Sequence, residues 1–351
     1  MKKHNFGAGP CILPQEIFEK ASNAVLDYNG IGLSILEISH RSKDFTEIMT
    51  EARAIVKRLM NIGDDYEVLF LQGGASLQFV MLPYNLMKLG GKAAYLDTGI
   101  WASGAIKEGK RFGNIDVVAS SKDKNYSSIP KDYSVGSQYD YFHCTSNNTI
   151  YGTQIKKFPN VDTLLACDMS SDIFSRVLDF TKFDLIYAGV QKNIGPAGAT
   201  LVVIKKDILG KTGRNIPSYL DYKAHIDKES MLNTPSVFAV YTSLLTLQNL
   251  EKTGGIKMAE IRNEAKAKIL YDEIDRNPLF KGHSEKEDRS VMNVSFVITD
   301  DSKKERFDDA CKEAGISGIN GHRSVGGYRA SIYNSMPIES VQVLVDVMRS
   351  F

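Results

Sequence analysis

Residues 183–204 run Phe183-Asp-Leu-Ile-Tyr187, then Ala188-Gly-Val-Gln-Lys-Asn-Ile-Gly-Pro-Ala-Gly198, then Ala199 and Thr200-Leu-Val-Val-Ile204. Two short apolar runs flank a loop of small residues, and the loop carries Lys192 just past the first run. Similar runs recur upstream at Tyr66–Leu71, Lys92–Leu96, Tyr139–His143 and Thr163–Cys167, with longer helical patterns between them. Apolar strands separated by helices predict an α/β fold whose mostly parallel sheet is covered on both faces. In such sheets ligands gather at the carboxyl ends of the strands. The loop around Lys192 is therefore a place to look for chemistry.

Downstream the pattern changes. A helix-like segment, Ser236–Leu250, is followed by Gly254-Gly255 and a charged helical stretch from Ile256 to Asp275. A strand (Val291–Ile298), a helix (Lys304–Ala314), a strand (Tyr328–Tyr333) and a last helix (Ile338–Met348) predict an α+β layer of its own. A chain of 351 residues suits two domains at roughly 150 residues each. The expected division is a large domain over 16–255 and a smaller one made of 1–15 and 256–351.

Composition narrows the function. With 43 Lys+Arg against 42 Asp+Glu, the net charge of +1 offers no global field for nucleic acid or an anionic membrane. The first residues lack the apolar stretch of a signal peptide, and Met231–Leu250 is too polar to span a bilayer, so a soluble protein of the cytoplasm is expected. Cys11, Cys144, Cys167 and Cys311 are widely spaced, which predicts neither a disulfide framework nor a metal site. His143 and Cys144 adjoin on one run, so they should point to opposite faces as buried strand residues, not act as a catalytic pair.

Two further features join Lys192. Asp168 follows Thr163–Cys167, which puts a carboxylate at a strand end; by itself it could equally cap the turn at Ser170 or Ser171. The stretch Phe70-Leu-Gln-Gly-Gly-Ala-Ser-Leu-Gln-Phe79 reads as strand, small-residue turn and helix, whose first amides form a cup for a phosphate. An anion cup, a carboxylate for a pyridine nitrogen and an amine for an aldehyde are together the needs of pyridoxal phosphate. Trp101, the single tryptophan, could stack on the ring, and Thr149 could bond its hydroxyl. A nicotinamide oxidoreductase is a competing reading of a parallel sheet, but no G-x-G-x-x-G follows a strand, and Gly315-Ile-Ser-Gly318-Ile-Asn-Gly321 has the wrong spacing. A non-catalytic protein that binds phosphate-bearing anions is the third.

The chain resembles the phosphoserine aminotransferase family, class V of the fold-type I aminotransferases that use pyridoxal 5'-phosphate. The resemblance rests on Asn5-Phe-Gly-Ala-Gly-Pro10, Ser34-Ile-Leu-Glu-Ile-Ser-His-Arg-Ser42, Gln72-Gly-Gly-Ala-Ser76, Asp168-Met-Ser-Ser171, Gln191-Lys-Asn193, Asn233-Thr-Pro235 and Gly321-His-Arg-Ser-Val-Gly-Gly-Tyr-Arg-Ala330. It implies a mostly parallel seven-stranded sheet in the large domain. It also implies that Lys192 bonds the cofactor aldehyde, Asp168 pairs with the ring nitrogen, Trp101 stacks and Thr149 binds the ring hydroxyl. Ala75, Ser76 and Gln191 would hold the cofactor phosphate, with Asn233 and Thr234 donated across a homodimer interface. Arg329 would take the substrate carboxylate, and His40, Arg41, His322 and Arg323 the substrate phosphate, some from the partner subunit.

The implied reaction moves the amino group of L-glutamate to 3-phosphohydroxypyruvate, giving phosphoserine and 2-oxoglutarate in serine biosynthesis. Use of 4-phosphohydroxythreonine in pyridoxine biosynthesis stays open. A substrate with a carboxylate and a phosphate needs several cationic donors, and the His-Arg-Ser blocks at 40–42 and 322–324 supply them. That argues against the nearest alternative, a serine–glyoxylate or alanine–glyoxylate aminotransferase. One position departs from part of the family, where an arginine stands in place of Ser76; the grip on substrate phosphate then rests more on the two His-Arg-Ser blocks.

Overall fold

The computed structural model describes residues 3–351. Seven strands form the main sheet: β1 (Tyr66–Leu71), β2 (Lys92–Asp97), β3 (Asn114–Ser120), β4 (Tyr141–Thr145), β5 (Leu164–Asp168), β6 (Leu185–Gly189) and β7 (Thr200–Lys205). Their spatial order is β1-β7-β6-β5-β4-β2-β3. β7 is antiparallel to both neighbours and every other pairing is parallel. Side chains alternate between two apolar layers, as the pleat requires. Phe70, Leu96, Phe142, Cys144, Cys167 and Ile186 enter one layer, and Leu69, Leu71, Tyr95, Tyr141, Ala166 and Tyr187 the other.

Helices cover both faces. α1 (Gln15–Leu26) and α2 (Lys43–Met60) lie on the first layer, α3 (Gly74–Leu86) and α4 (Ile100–Gly109) on the second, and α5 (Val237–Lys252) again on the first. α2 shows why these segments are helical. Ser42 caps it by accepting the Phe45 N–H at 3.2 Å, and Phe45, Ile48, Met49, Ala52, Ile55 and Val56 bury one stripe against the sheet.

Two details differ from the sequence expectation. β3 has no counterpart among the apolar runs because none of its residues is fully buried, unlike β1 at the opposite edge of the sheet. β4, β5 and β6 also end one or two residues later than their apolar runs: Thr145 pairs with Asp168, and Gly189 with Thr200. Backbone pairing extends the strands past the point where hydrophobicity stops. As expected, His143 and Cys144 are both buried and separate: Cys144 lies 3.7 Å from the Cys167 sulfur in one layer, while His143 Nε2 meets the Tyr187 hydroxyl at 2.9 Å in the other.

A second buried cluster forms around β8 (Phe280–Gly282), β9 (Asn293–Ile298) and β10 (Tyr328–Ser331), an antiparallel sheet in that order. α6 (Gly255–Arg276), α7 (Lys304–Glu313) and α8 (Ile338–Arg349) close it, burying Leu270, Phe296, Phe307 and Leu344. Phe6 and Ile12 join this cluster from the other end of the chain. The joint between α5 and α6 needs glycine: Gly254 sits at φ +97°, and a Cβ there would lie 2.4 Å from Met258 Cγ. Among the described residues, no helix is long and apolar enough to cross a membrane.

Candidate active site

Because β1, β5 and β6 point the same way, the segments that follow them emerge on one edge of the sheet. β1 delivers the turn Gln72-Gly-Gly, β5 ends in Asp168, and β6 leads into Lys192. The part-buried Lys192 donates from Nζ to Thr149 Oγ1 at 2.8 Å, and its nitrogen lies 5.7 Å from the centre of the Trp101 ring. Burial pushes the amine down to about 8, helped by the charge of Arg329 and opposed by Asp168 and Asp172. Arg329, 137 positions away in sequence, thus acts on the Lys192 amine through its charge.

Asp168 is buried, and its Oδ1 accepts the N–H of Ser170 at 2.9 Å. Both readings of this residue hold in one geometry: it caps a local turn and presents a carboxylate at the strand end. Burial raises its pKa, against the lowering influence of Lys192 and of the Ser170 bond. It forms no ion pair among the described residues, so a buried carboxylate is available for a cation.

The turn after β1 starts α3. Gly73 adopts φ +86° and a Cβ on it would come within 2.5 Å of Leu77 Cδ2. The first intrahelical donor given by this turn is Leu77 N–H to Gly73 O at 3.3 Å, leaving the amides of Gly74, Ala75 and Ser76 at an exposed or part-buried helix start. Gln191 is tied to the N-terminal segment, its carbonyl accepting Cys11 N–H at 3.0 Å. The segment at Asn233-Thr234 engages the same edge: the Gln72 side-chain amide donates to the Thr234 carbonyl, and Asn233 Nδ2 reaches that carbonyl at 3.4 Å.

The remaining cations behave differently. Arg329 is on β10, and its Nε is buried with no hydrogen-bond partner among the described residues; burial also lowers its pKa. His322 and Arg323 are exposed on a turn in which His322 Nδ1 meets Ser324 Oγ at 2.8 Å. That turn is brought near Thr149, since Val325 packs against Tyr126, Ile150 and Tyr151. His40 and the exposed Arg41 stand on a tight turn before α2, and neither side chain has a hydrogen bond or ion pair among the described residues. The structure thus gathers Lys192, Thr149, Trp101, Asp168 and Arg329, and shows no such contact for His40 and Arg41.

Sequence reading missed one buried acid. Asp172 accepts from Ser146 Oγ, from Gln154 Nε2 at 3.1 Å and from Arg176 at 3.2 Å, and its charge helps keep Lys192 protonated. No local signal in Asp168-Met-Ser-Ser-Asp172 sets it apart, because its partners Ser146 and Gln154 come from other segments.

These residues fit pyridoxal phosphate on the structure's own terms. The site holds a desolvated amine, an aromatic face beside it, a buried carboxylate without a cation and a helix start with free amides. A family model described as aminotransferase class-V matches residues 4–344. The phosphoserine aminotransferase of Flavobacterium psychrophilum is 66% identical over 350 residues, covering 99% of this chain and 98% of that one. The solved structure of phosphoserine aminotransferase from Bacillus circulans subsp. alkalophilus superposes with a TM-score of 0.96 at 41% identity, covering 99% of this chain and 98% of the other. That of the PLP-bound enzyme from Trichomonas vaginalis gives 0.94 at 34% identity, covering 99% and 100%.

Proposed function

The chain belongs to the class-V aminotransferase family, and we propose that it transfers the amino group of L-glutamate to 3-phosphohydroxypyruvate, forming O-phospho-L-serine and 2-oxoglutarate. This is a step of serine biosynthesis, and the cofactor is pyridoxal 5'-phosphate. The observation that carries the reading is the Lys192 amine, held out of water at a strand end between Thr149 and Trp101 with the buried Asp168 nearby. The full-length relatives named above do not favour a serine–glyoxylate or alanine–glyoxylate reaction.

When bound, pyridoxal phosphate supplies an aldehyde that exchanges amino groups and a ring that draws electron density from the substrate α-carbon. Lys192, with an amine near pKa 8, is available both as a nucleophile and as a base at neutral pH. Its Nζ takes the proton from the α-carbon of the amino donor and returns one when the acceptor runs the same steps backwards. Thr149 orients that nitrogen through the 2.8 Å bond. Asp168, desolvated and fixed by Ser170, is suited to hold a ring nitrogen in its protonated form. The amides of Ala75 and Ser76, with Gln191, are assigned to the cofactor phosphate, and Trp101 to stacking.

Arg329 is assigned to the substrate carboxylate, a role supported by its buried, unpartnered Nε. His40, Arg41, His322 and Arg323 are assigned to the substrate phosphate. We place the side chains of Asn233 and Thr234, whose backbone also meets this chain's own Gln72, and part of that cationic set in a partner's site within a homodimer. Support comes from the exposed large hydrophobics Leu26, Ile31, Leu33 and Leu36, which lead directly into the unpaired His40-Arg41 turn. We divide the chain into a large domain over 16–255 and a small one of 1–15 and 256–351, supported by the separate buried cluster that Phe6 and Ile12 share with the C-terminal elements. A cytoplasmic location agrees with four free cysteines.

The test is a steady-state assay with 2-oxoglutarate as acceptor, comparing phosphoserine with serine. Three charge-assisted contacts to the phosphate at about 1.5–3 kcal/mol each predict a preference for phosphoserine of ~1000-fold or more in kcat/KM. Equal use of the two amino acids overturns the assignment.

A further inference from the structure

Beside Asn193 and Ile194, the residues that follow Lys192, the two buried clusters do not close on each other. They leave a crevice of about 530 Å³ between α5, α6 and the segment leading into α8. Phe174, Ile194, Leu247, Leu250 and Met336 are among its apolar lining, and Asn193, the residue after Lys192, lines it too. The polar wall is well fixed. Asn193 accepts the Asn334 N–H at 2.9 Å, and Asn334 accepts Asn263 Nδ2 at 2.7 Å.

The charge in this crevice is unbalanced. Lys266 lines it at 1% exposure, and its amine donates to the carbonyls of Ile332 at 2.9 Å and Tyr333 at 2.6 Å. An ammonium has three N–H groups, and no carboxylate pairs with this one among the described residues. Arg262, one turn earlier on α6 and also lining the crevice, donates to the Thr253 carbonyl at 3.1 Å and has no ion pair among the described residues. Glu339 is the single acid among the lining residues, and it too forms no ion pair among the described residues. Burial, with Arg262 beside it, pushes the Lys266 amine down to about 7. At neutral pH such an amine is about half protonated, and an anion reaching it would hold it in the charged form.

We propose that this crevice is a second ligand site, separate from the Lys192 site, for a small monocarboxylate with a compact apolar body. The apolar wall accepts the body, and the carboxylate supplies the missing counter-charge to Lys266 and Arg262. A doubly charged anion suits it less, since Lys266 and Arg262 are the two cations among the lining residues and Glu339 opposes further negative charge. The site lies against Asn193 and so against the loop that carries Lys192, which gives its occupant a mechanical route to that loop.

The experiment is isothermal titration of the cofactor-loaded protein with cyclohexanecarboxylate and with its neutral analogue cyclohexanecarboxamide. The expected result is saturable binding of one acid per chain, at least tenfold weaker binding of the amide, and at least tenfold weaker acid binding in Ala265→Phe. Ala265 is exposed on α6 and lines the crevice, so a larger side chain fills it from outside without disturbing a core. Arg262→Gln, also at an exposed position, should weaken the acid and leave the amide unchanged. Arg329→Leu should leave acid binding intact, which separates this crevice from the substrate site. Absence of saturable binding overturns the proposal. So does acid binding unaffected by Ala265→Phe, or acid binding lost in Arg329→Leu. Phosphoserine turnover is read separately and decides the proposed function alone.

Discussion

The two ends of the candidate active site are built in opposite ways. At the cofactor end, Lys192, Thr149 and Asp168 are part-buried or buried and already bonded to one another's neighbourhood through the 2.8 Å and 2.9 Å contacts. At the end we assign to the substrate phosphate, Arg41, His322 and Arg323 are exposed, and Arg41 has no side-chain partner among the described residues. A preorganised group acts without reorganising when charge develops, whereas a mobile cation must be collected by the charge it binds. The difference teaches that one chain suffices to prepare proton transfer. Recognition of the phosphorylated end awaits the substrate, and in our reading a second subunit.

The sharpest way to break this comparison is Lys192→Ala. Loss of the nucleophile and of the proton carrier should cut phosphoserine turnover by at least about a thousandfold and remove the visible absorbance of bound cofactor. Normal turnover in that variant would dispose of the mechanism. Next in size is Asp168→Asn, which keeps the shape but removes the charge. It should lower kcat by about 100–1000-fold with little change in the chain's melting temperature, and a parallel collapse in stability would instead mark Asp168 as structural.

At the other end, Arg41→Ala should cost about 10–100-fold in kcat/KM for phosphoserine and almost nothing for serine. Mixing that variant with Lys192→Ala sharpens the point. If Arg41 reaches into the partner's site, mixed dimers contain one intact site and activity returns; if it acts within its own chain, the mixture stays as poor as its parts.

The smallest effect concerns pH. The Lys192 amine, depressed to about 8, must be unprotonated to attack the cofactor aldehyde, so its reactive fraction grows as pH rises through that value. Reconstitution of cofactor-free protein should speed up about tenfold between pH 7 and pH 9. A lysine near its ordinary pKa would keep gaining well beyond pH 9, and stopped-flow absorbance distinguishes the two.

Much of this was legible before any coordinates. The runs at Tyr66–Leu71 and Thr200–Ile204 became β1 and β7 almost residue for residue, because a strand buried on both faces must be continuously apolar. The edge strand β3 was invisible for the converse reason: its burial is partial, so selection for apolar residues there is weak. Asp168 was recognisable from its place at the end of an apolar run, whereas Asp172 was not, since nothing local distinguishes it from a turn residue. Its significance comes from Ser146, Gln154 and Arg176, which converge on it from separate segments.

The sequence by itself determined most of the elements, their alternation, the turn and helix start after Leu71, and which residue types are available for chemistry. These follow from local backbone preference and from the period of the apolar pattern, both of which act over a few residues. Only the tertiary structure decided that Arg329 acts on Lys192 through its charge, that the 322–325 turn packs beside Thr149, and that a charged crevice opens beside Asn193. Those juxtapositions depend on how two packed layers meet, and desolvation and Coulomb interaction act through space, without regard to distance along the chain.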